Sequence, residues 1–162
     1  MLLRSILLLA AVTSAAPVFG DEGRRDLCPD RPGLGTPACT VEPGTVLVEM
    51  GIADWALDRT AESRTDMWSF GDALLRTGLT PSLEVQVGWT MIGHVRERDR
   101  ATGNASSRTR PGDVTLALRQ NLHNPDGSGF SVALMPYATL PLGGGGVGAG
   151  DWGAGLIVPV SF

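Results

Sequence analysis

SLEVQVGWTMIG, residues 82–93, is the stretch that decides the fold, because apolar and polar side chains alternate along it. One parity carries Leu83, Val85, Val87, Trp89 and Met91, and the other carries Glu84, Gln86, Gly88 and Thr90. Successive side chains of a β-strand point to opposite faces of a sheet. The stretch therefore predicts a strand with one apolar and one mostly polar face, which suits a soluble core or a lipid surface.

The composition indicates one domain with little helical character: 162 residues, 43% hydrophobic and 19% charged, with 22 glycines. Thirteen basic and 17 acidic side chains give a net charge of −4. A chain that binds nucleic acid usually carries a basic surface, and this balance offers none. Nucleic acid is therefore not an expected partner.

Residues 1–20, MLLRSILLLAAVTSAAPVFG, have the form of a secretory signal peptide. Arg4 precedes an apolar run over residues 6–12, and small residues follow it. That run is shorter than the roughly 18 residues that a membrane-spanning helix needs. We therefore predict that the chain is exported and that the mature protein begins near Asp21.

The two cysteines, Cys28 and Cys39, both lie in a proline-rich stretch, residues 21–44. Cysteine pairs in exported proteins usually form disulfides. The rival interpretation is a metal site, but two cysteines without a nearby histidine cannot supply the usual four zinc ligands. Residues 21–44 are therefore predicted to be a periplasmic N-terminal segment with a structural Cys28–Cys39 disulfide.

The remainder of the chain, residues 45–162, divides into six tracts with strand-like patterns. These are residues 45–55, 66–76, 82–93, 113–122, 130–140 and 152–162. The second tract changes phase, since Trp68 and Phe70 share one parity and Ala73 and Leu75 share the other. We expect a β-bulge near Gly71 to accommodate that change.

The tracts are about 10 residues long, which matches the ~9–11 residues of a tilted strand that crosses a bilayer. Their connections alternate between longer and shorter stretches, as in transmembrane barrels. The longer ones are residues 58–64, 94–111 and 142–151, and the shorter ones are residues 77–82 and 123–129. The predicted fold is all-β: an antiparallel up-and-down meander of about six long strands, resembling part of a transmembrane β-barrel.

Six strands are fewer than the minimum of about eight in single-chain bacterial barrels. A closed monomeric barrel is therefore not expected, because open edge strands leave backbone groups unpaired in lipid. Two explanations remain open. Either the sequence is a truncated barrel, or its strands pair with another copy through self-association.

Several motifs resemble those of the exported proteobacterial "transporter" family named for the meta-pathway of phenol degradation. They are CPDRPGLGTPACTVEPG (28–44), FGDALLRTGLTPSLEVQVGW (70–89), RPGDVTLALRQNL (110–122) and NPDGSGFSVALMPYATLPLG (124–143). The resemblance implies a β-barrel in the cell outer membrane and, by the family's name, uptake of aromatic compounds. It also implies further strands beyond residue 162, which favours truncation. The family supplies no catalytic motif.

The residues themselves indicate no enzyme, cofactor or metal site, because no nucleophile, base and acid stand in a recognisable pattern. A GxGxxG match at residues 148–153 precedes a strand instead of following one, so it predicts a flexible loop. The leading hypothesis is a channel-like outer-membrane protein for small apolar or aromatic compounds. The side chains predicted to face its lumen are Glu49, Glu84, Gln86, Asp113, Thr115 and Arg119.

Two other functions are compatible with the pattern. The first is a soluble periplasmic β-sandwich or lipocalin-like ligand-binding module, whose apolar faces would meet in a core. The second is an outer-membrane enzyme of lipid modification. The expected partners of the leading hypothesis are the lipid bilayer and an unidentified small solute. Lipopolysaccharide phosphates would join them if they meet the loop arginines Arg96, Arg98, Arg100, Arg108 and Arg110.

Overall fold

The computed structural model describes residues 25–31, 35–144 and 146–162. The predicted signal peptide, residues 1–20, lies outside the described residues. Within the described ranges, the regular secondary structure consists of β-strands, with no helix. No helix in that part of the chain is long and apolar enough to cross a membrane.

Eight strands form one antiparallel sheet in the order β1-β2-β3-β5-β6-β7, with β4 paired to β3 and β8 paired to β6. They are β1 (Val46–Arg59), β2 (Ser63–Thr80), β3 (Leu83–Asp99), β4 (Ala105–Arg110), β5 (Val114–His123), β6 (Ser131–Leu140), β7 (Gly153–Ile157) and β8 (Val160–Ser161). The prediction of an all-β antiparallel meander is confirmed. Within the described residues the sheet is not closed into a barrel, and β1 and β7 lie at its two ends.

The eight strands fill only six positions in the sheet. Strands β4 and β5 pair with the same edge of β3 in one register. Residues 111–113, which begin with Pro111, separate the two strands. Strands β7 and β8 likewise share one register against β6, and Pro159 lies between them. Proline has no N–H to donate to a ladder, so it interrupts the pattern without ending the pairing. The six predicted tracts correspond to these six positions.

The predicted alternation of longer and shorter connections is wrong. The polar stretches 58–64 and 94–111 continue mostly as strands, so their connections shrink to residues 60–62 and 100–104. The β5–β6 connection, residues 124–130, is longer than either. The strands continue beyond the alternating apolar pattern. Their backbone N–H and C=O groups stay paired there, although the side chains are mostly polar.

The phase change expected in the second tract occurs at Gly71, but the expected bulge does not. Pairing of β2 with β1 and β3 passes Gly71 without a shift, and the register shift in β2 lies at Gly78/Thr80 instead. Gly71 has φ +67°, a left-handed conformation that glycine adopts easily. Met67 and Ser69 on one side of it line the same cavity as Asp72 on the other, so the pleat inverts there.

The two faces of the sheet have the reverse of a globular protein's polarity. The face that we call inner carries buried polar side chains: Glu49, Arg76, Glu84, Gln86, Arg119, Asn121 and Ser131. The opposite face, which we call outer, carries exposed apolar side chains: Val46, Val48, Met50, Ile52, Leu75, Leu116, Leu118 and Leu156. Ile52 is 86% exposed, whereas Glu84 and Arg119 are 0% exposed.

We expect Gly71→Ala to lower the free energy of unfolding by about 1–2 kcal/mol, the cost of a left-handed conformation for a residue with a Cβ. The new Cβ would also lie 2.9 Å from Met91 Sδ. Urea unfolding followed by tryptophan fluorescence measures the change. Gly88→Ala is the matched control, since its nearest contact would be Leu74 Cδ1 at 3.8 Å. Equal losses in both variants would contradict a special backbone requirement at Gly71.

Candidate functional site

The N-terminal segment lies against the inner face of the sheet. We call its described residues, 25–31 and 35–45, the inner-face plug. The Val41 N–H donates to Glu84 Oε2 at 2.6 Å, and Asn121 Nδ2 donates to the Ala38 carbonyl at 2.8 Å. The Thr40 N–H donates to the Pro125 carbonyl in the β5–β6 connection at 3.0 Å. Residues 38–41 are buried as a result.

The Cys28–Cys39 disulfide is present, with 6.1 Å between the two Cα atoms, so that prediction is confirmed. It holds two parts of the plug together across a sequence separation of 11 residues. Both cysteine carbonyls accept hydrogen bonds from the sheet. Arg76 Nη1 donates to the Cys28 carbonyl at 2.5 Å, and Arg119 Nη1 donates to the Cys39 carbonyl at 3.1 Å.

Five charged side chains join the plug to four strands, and we call them the plug charge cluster: Asp30, Glu49, Arg76, Glu84 and Arg119. Arg76 lies 2.9 Å from Glu84, 2.8 Å from Asp30 and 3.2 Å from Glu49. Arg119 shares Asp30 at 2.7 Å and approaches Glu84 at 3.5 Å. The side chains of Arg76, Glu84 and Arg119 are 0% exposed.

Burial makes this cluster sensitive to the loss of any one member. Removing water from a charge costs several kcal/mol, which only well-placed partners of opposite charge repay. Asp30 is the one member that belongs to the plug, and it accepts from both Arg76 and Arg119. The plug backbone adds donors, since the N–H groups of Asp30 and Arg31 bind Glu49 at 3.2 and 2.7 Å. The plug and the sheet therefore complete each other's ionic contacts.

The residues predicted to face a lumen do lie on the inner face, but they serve different contacts. Glu49, Glu84 and Arg119 hold the plug, and Gln86 Nε2 donates to Glu84 Oε1 at 2.6 Å. Asp113 instead accepts from the N–H groups of Gly143 and Gly150, at 3.1 and 3.2 Å. It therefore anchors the β6–β7 connection, whose described residues are 141–144 and 146–152, at two points. Thr115 lines the mostly apolar cavity of the inner face that is described below.

The sequence pattern did not identify Arg76, which pairs with three carboxylates, or Asp30, which pairs with both buried arginines. Arg76 has one available signal: it is the only charge in LLRTGL, residues 74–79, and it falls on the parity of Asp72. Asp30 has none, because its role depends on the plug folding back across 46 residues to Arg76 and 89 residues to Arg119. Such distant pairs leave no local pattern.

The inner face holds a small, mostly apolar cavity of about 200 Å³ beyond the plug. Its lining residues are Leu74, Gln86, Gly88, Thr115, Ala117, Met135, Tyr137 and Ile157. A second cavity of about 240 Å³ lies further along, where Asp54, Ser69, Asp72 and Thr90 meet Val147 of the β6–β7 connection. Val147 also packs against Gly93, in space that a Cβ there would occupy. The plug and residues 141–144 and 146–152 thus lie over opposite ends of the inner face.

The inner face offers hydrogen-bonding side chains and an apolar cavity for contacts with a ligand. Within the described ranges, no group of three or more His, Cys, Asp or Glu side chains is placed to hold a metal ion. In the connection that meets the plug, the Ser128 backbone N–H donates to Asp126 and holds the pKa of that carboxyl below its usual value.

A comparison with known proteins finds no matching family model, no similar curated protein and no similar solved structure.

We expect Arg76→Met to lower the free energy of unfolding by about 3–5 kcal/mol, because it leaves buried carboxylates without their cation. Arg76→Lys should lose less, since an ammonium keeps the charge but cannot donate in a planar fork. Urea unfolding measures both. Arg108→Met is the matched control, because Arg108 is exposed. A loss no larger than that of the control would mean that the cluster does not stabilise the fold.

Proposed function

We propose that the chain is part of an outer-membrane β-barrel of the family that its motifs resemble, with its outer face against lipid. The observation that carries this proposal is the reversed polarity of the sheet. A soluble β-sandwich buries its apolar face, but here that face is exposed and buried ion pairs occupy the other. Contiguous apolar surfaces of this kind mark contacts with membranes or partner proteins.

The strand lengths agree with this proposal. Strands β1, β2 and β3 have 14, 18 and 17 residues, which exceeds the ~9–11 that a bilayer crossing needs. Their extra length is polar and extends the hairpins beyond the apolar band. Closing a barrel requires more strands at the open edges, β1 and β7, supplied by a second copy of the chain or by further polypeptide.

We further propose that the protein takes up small apolar or aromatic compounds. The 200 Å³ cavity supports this, because it lies on the inner face and most of its lining is apolar. The inner-face plug and the β6–β7 connection lie over the two ends of that face, so they would exclude larger solutes. No chemical step is required for this role.

The same cavity favours a second candidate, a soluble periplasmic ligand-binding module. A mostly apolar cavity on the inner face suits retention of a ligand as well as its passage. The two candidates differ in what covers the outer face. Lipid covers it in the first, and in the second another protein surface would have to do so.

Expression with the native signal peptide, followed by cell fractionation, separates the two candidates. We expect the protein in the outer-membrane fraction and extractable only with detergent, because water would face the exposed apolar band. Gel mobility without boiling reports on closure: faster migration is expected if the edges of the sheet are paired by another copy. Recovery as a soluble periplasmic protein would contradict the membrane proposal and support the binding module.

Filling the cavity should block uptake. We expect Ala117→Trp to reduce the influx of the apolar dye N-phenyl-1-naphthylamine into expressing cells at least severalfold, because Ala117 is buried in the cavity wall. Ala154→Trp is the matched control, since the same change on an exposed position of β7 leaves the cavity open. Fluorescence of the dye in the cells measures influx. Equal influx in the two variants, at equal protein level, would contradict passage through this cavity.

A further inference from the structure

Between Gly71 and the β1–β2 and β3–β4 turns, the side chains of the outer face change from aliphatic to aromatic and then to basic. Trp55 of β1 is the direct partner of Trp68 of β2, and Trp68 is the direct partner of His94 of β3. The Trp68 and His94 rings have centroids 5.6 Å apart. Aromatic side chains therefore form a row across three strands, beside the exposed Phe70.

Four residues further along each strand, towards the ends of the hairpins, the outer face becomes basic. Arg59, Arg64 and Arg98 are direct partners across β1, β2 and β3. Arg96 lies one row below them, opposite Asp66. We call these four arginines the outer arginine row.

The pleat inversion at Gly71 assigns this row to the outer face. Beyond Gly71, the residues that line the inner-face cavity are Asp54, Ala56, Met67 and Ser69. Alternate residues of a strand point to opposite faces, so Trp55, Trp68 and Arg64 point outward. Without the inversion, the arginines would lie on the inner face.

The outer arginine row has more positive charge than its neighbours neutralise. Asp66 binds Arg64 through two hydrogen bonds, at 2.8 and 2.9 Å. Among the described residues, no carboxylate lies within salt-bridge distance of Arg59, Arg96 or Arg98. Of the nearby acidic residues, Asp58, Glu97 and Asp99 occupy alternate positions on the other face, and Glu62 lies in the β1–β2 connection, outside the row.

Like charges on directly opposed positions of a sheet destabilise it. Asp66 compensates Arg64 through hydrogen bonds, so an anion bound to Arg59 and Arg98 would relieve the repulsion that is left in this row. Guanidinium groups bind phosphate oxygens through paired hydrogen bonds, more specifically than an ammonium does. Aromatic belts lie at the level of lipid headgroups, which places charged groups just beyond the belt among phosphates.

We propose that the outer arginine row binds the phosphate groups of anionic lipids at the bilayer surface. This inference rests on the proposed membrane function and adds a site and a ligand class to it. The attraction is local, because the whole chain has a net charge of −4. It differs from the arginine set predicted from the loop pattern, since Arg108 and Arg110 fall on the inner side of the hairpin, beside Gly146 and Gly144.

Titration of the detergent-purified protein with short-chain dihexanoyl phosphatidic acid tests the proposal, and fluorescence of Trp55 and Trp68 beside the row reports binding. We expect Arg59→Gln/Arg98→Gln to weaken the affinity about 25-fold, since each basic residue near an anionic surface contributes about fivefold. Arg108→Gln/Arg110→Gln is the matched control, because it removes the same charge from the same part of the sheet on the opposite side. It should change the affinity less than twofold.

Arg59→Lys/Arg98→Lys keeps both charges and removes the forks, so we expect an intermediate loss. Equal losses in the two glutamine pairs would reduce the effect to general electrostatics and overturn the site, as would no loss in either. Inorganic phosphate binding as tightly as the lipid would also overturn it, in favour of a free-anion site.

Two further measurements on the same samples distinguish failure of the arginine site from failure of the membrane proposal. Dihexanoyl phosphatidylcholine serves as the probe without net charge, and detergent dependence of solubility is measured in parallel. A protein that needs detergent but binds both lipids equally would retain the membrane proposal and lose the arginine site. A protein that is soluble without detergent would contradict the membrane proposal whatever it binds.

Discussion

Two buried guanidinium groups, those of Arg76 and Arg119, constrain the rest of the structure because each must be surrounded by partners. Each finds them on both the sheet and the plug: Glu84 on one side and Asp30 on the other. An unpaired buried charge would cost several kcal/mol. The buried charges of the inner face therefore keep their partners only while residues 25–31 and 35–41 lie on it, and the disulfide joins these two parts of the plug.

The outer face follows from the same constraint. Because the polar residues of each strand are used on the plug side, alternation leaves the apolar residues on the other. Val48, Leu75 and Val87 are direct neighbours across β1, β2 and β3, and Leu116 continues the row on β5. Such a surface is stable only where water is absent. The polar interior and the proposed lipid contact are thus two aspects of one alternating pattern.

Alternation in the sequence was sufficient to predict the all-β meander, the six strand positions and the place where the second tract changes phase. It failed where physics other than side-chain polarity decides. Residues 94–99 and 105–110 are mostly polar yet pair as strands, because the ladder bonds join backbone groups. At Gly71 a left-handed φ replaced the expected extra residue. The plug charge cluster was only half visible, since Glu49, Glu84 and Arg119 lie in alternating strands whereas Asp30 lies in a proline-rich segment.

The plug also bears on the order of assembly. Asp30 meets Arg119 across 89 residues, and Ala38 meets Asn121 across 83. Contacts so distant in sequence slow the folding of a chain, because closing the long loops between them costs entropy. A segment enclosed by strands on one side and by the β5–β6 connection on another cannot easily be threaded in afterwards, so the sheet must curl around it. The strands that follow the plug in sequence would then gather around it, with Glu84 and Arg119 pairing with its groups as β3 and β5 join the sheet.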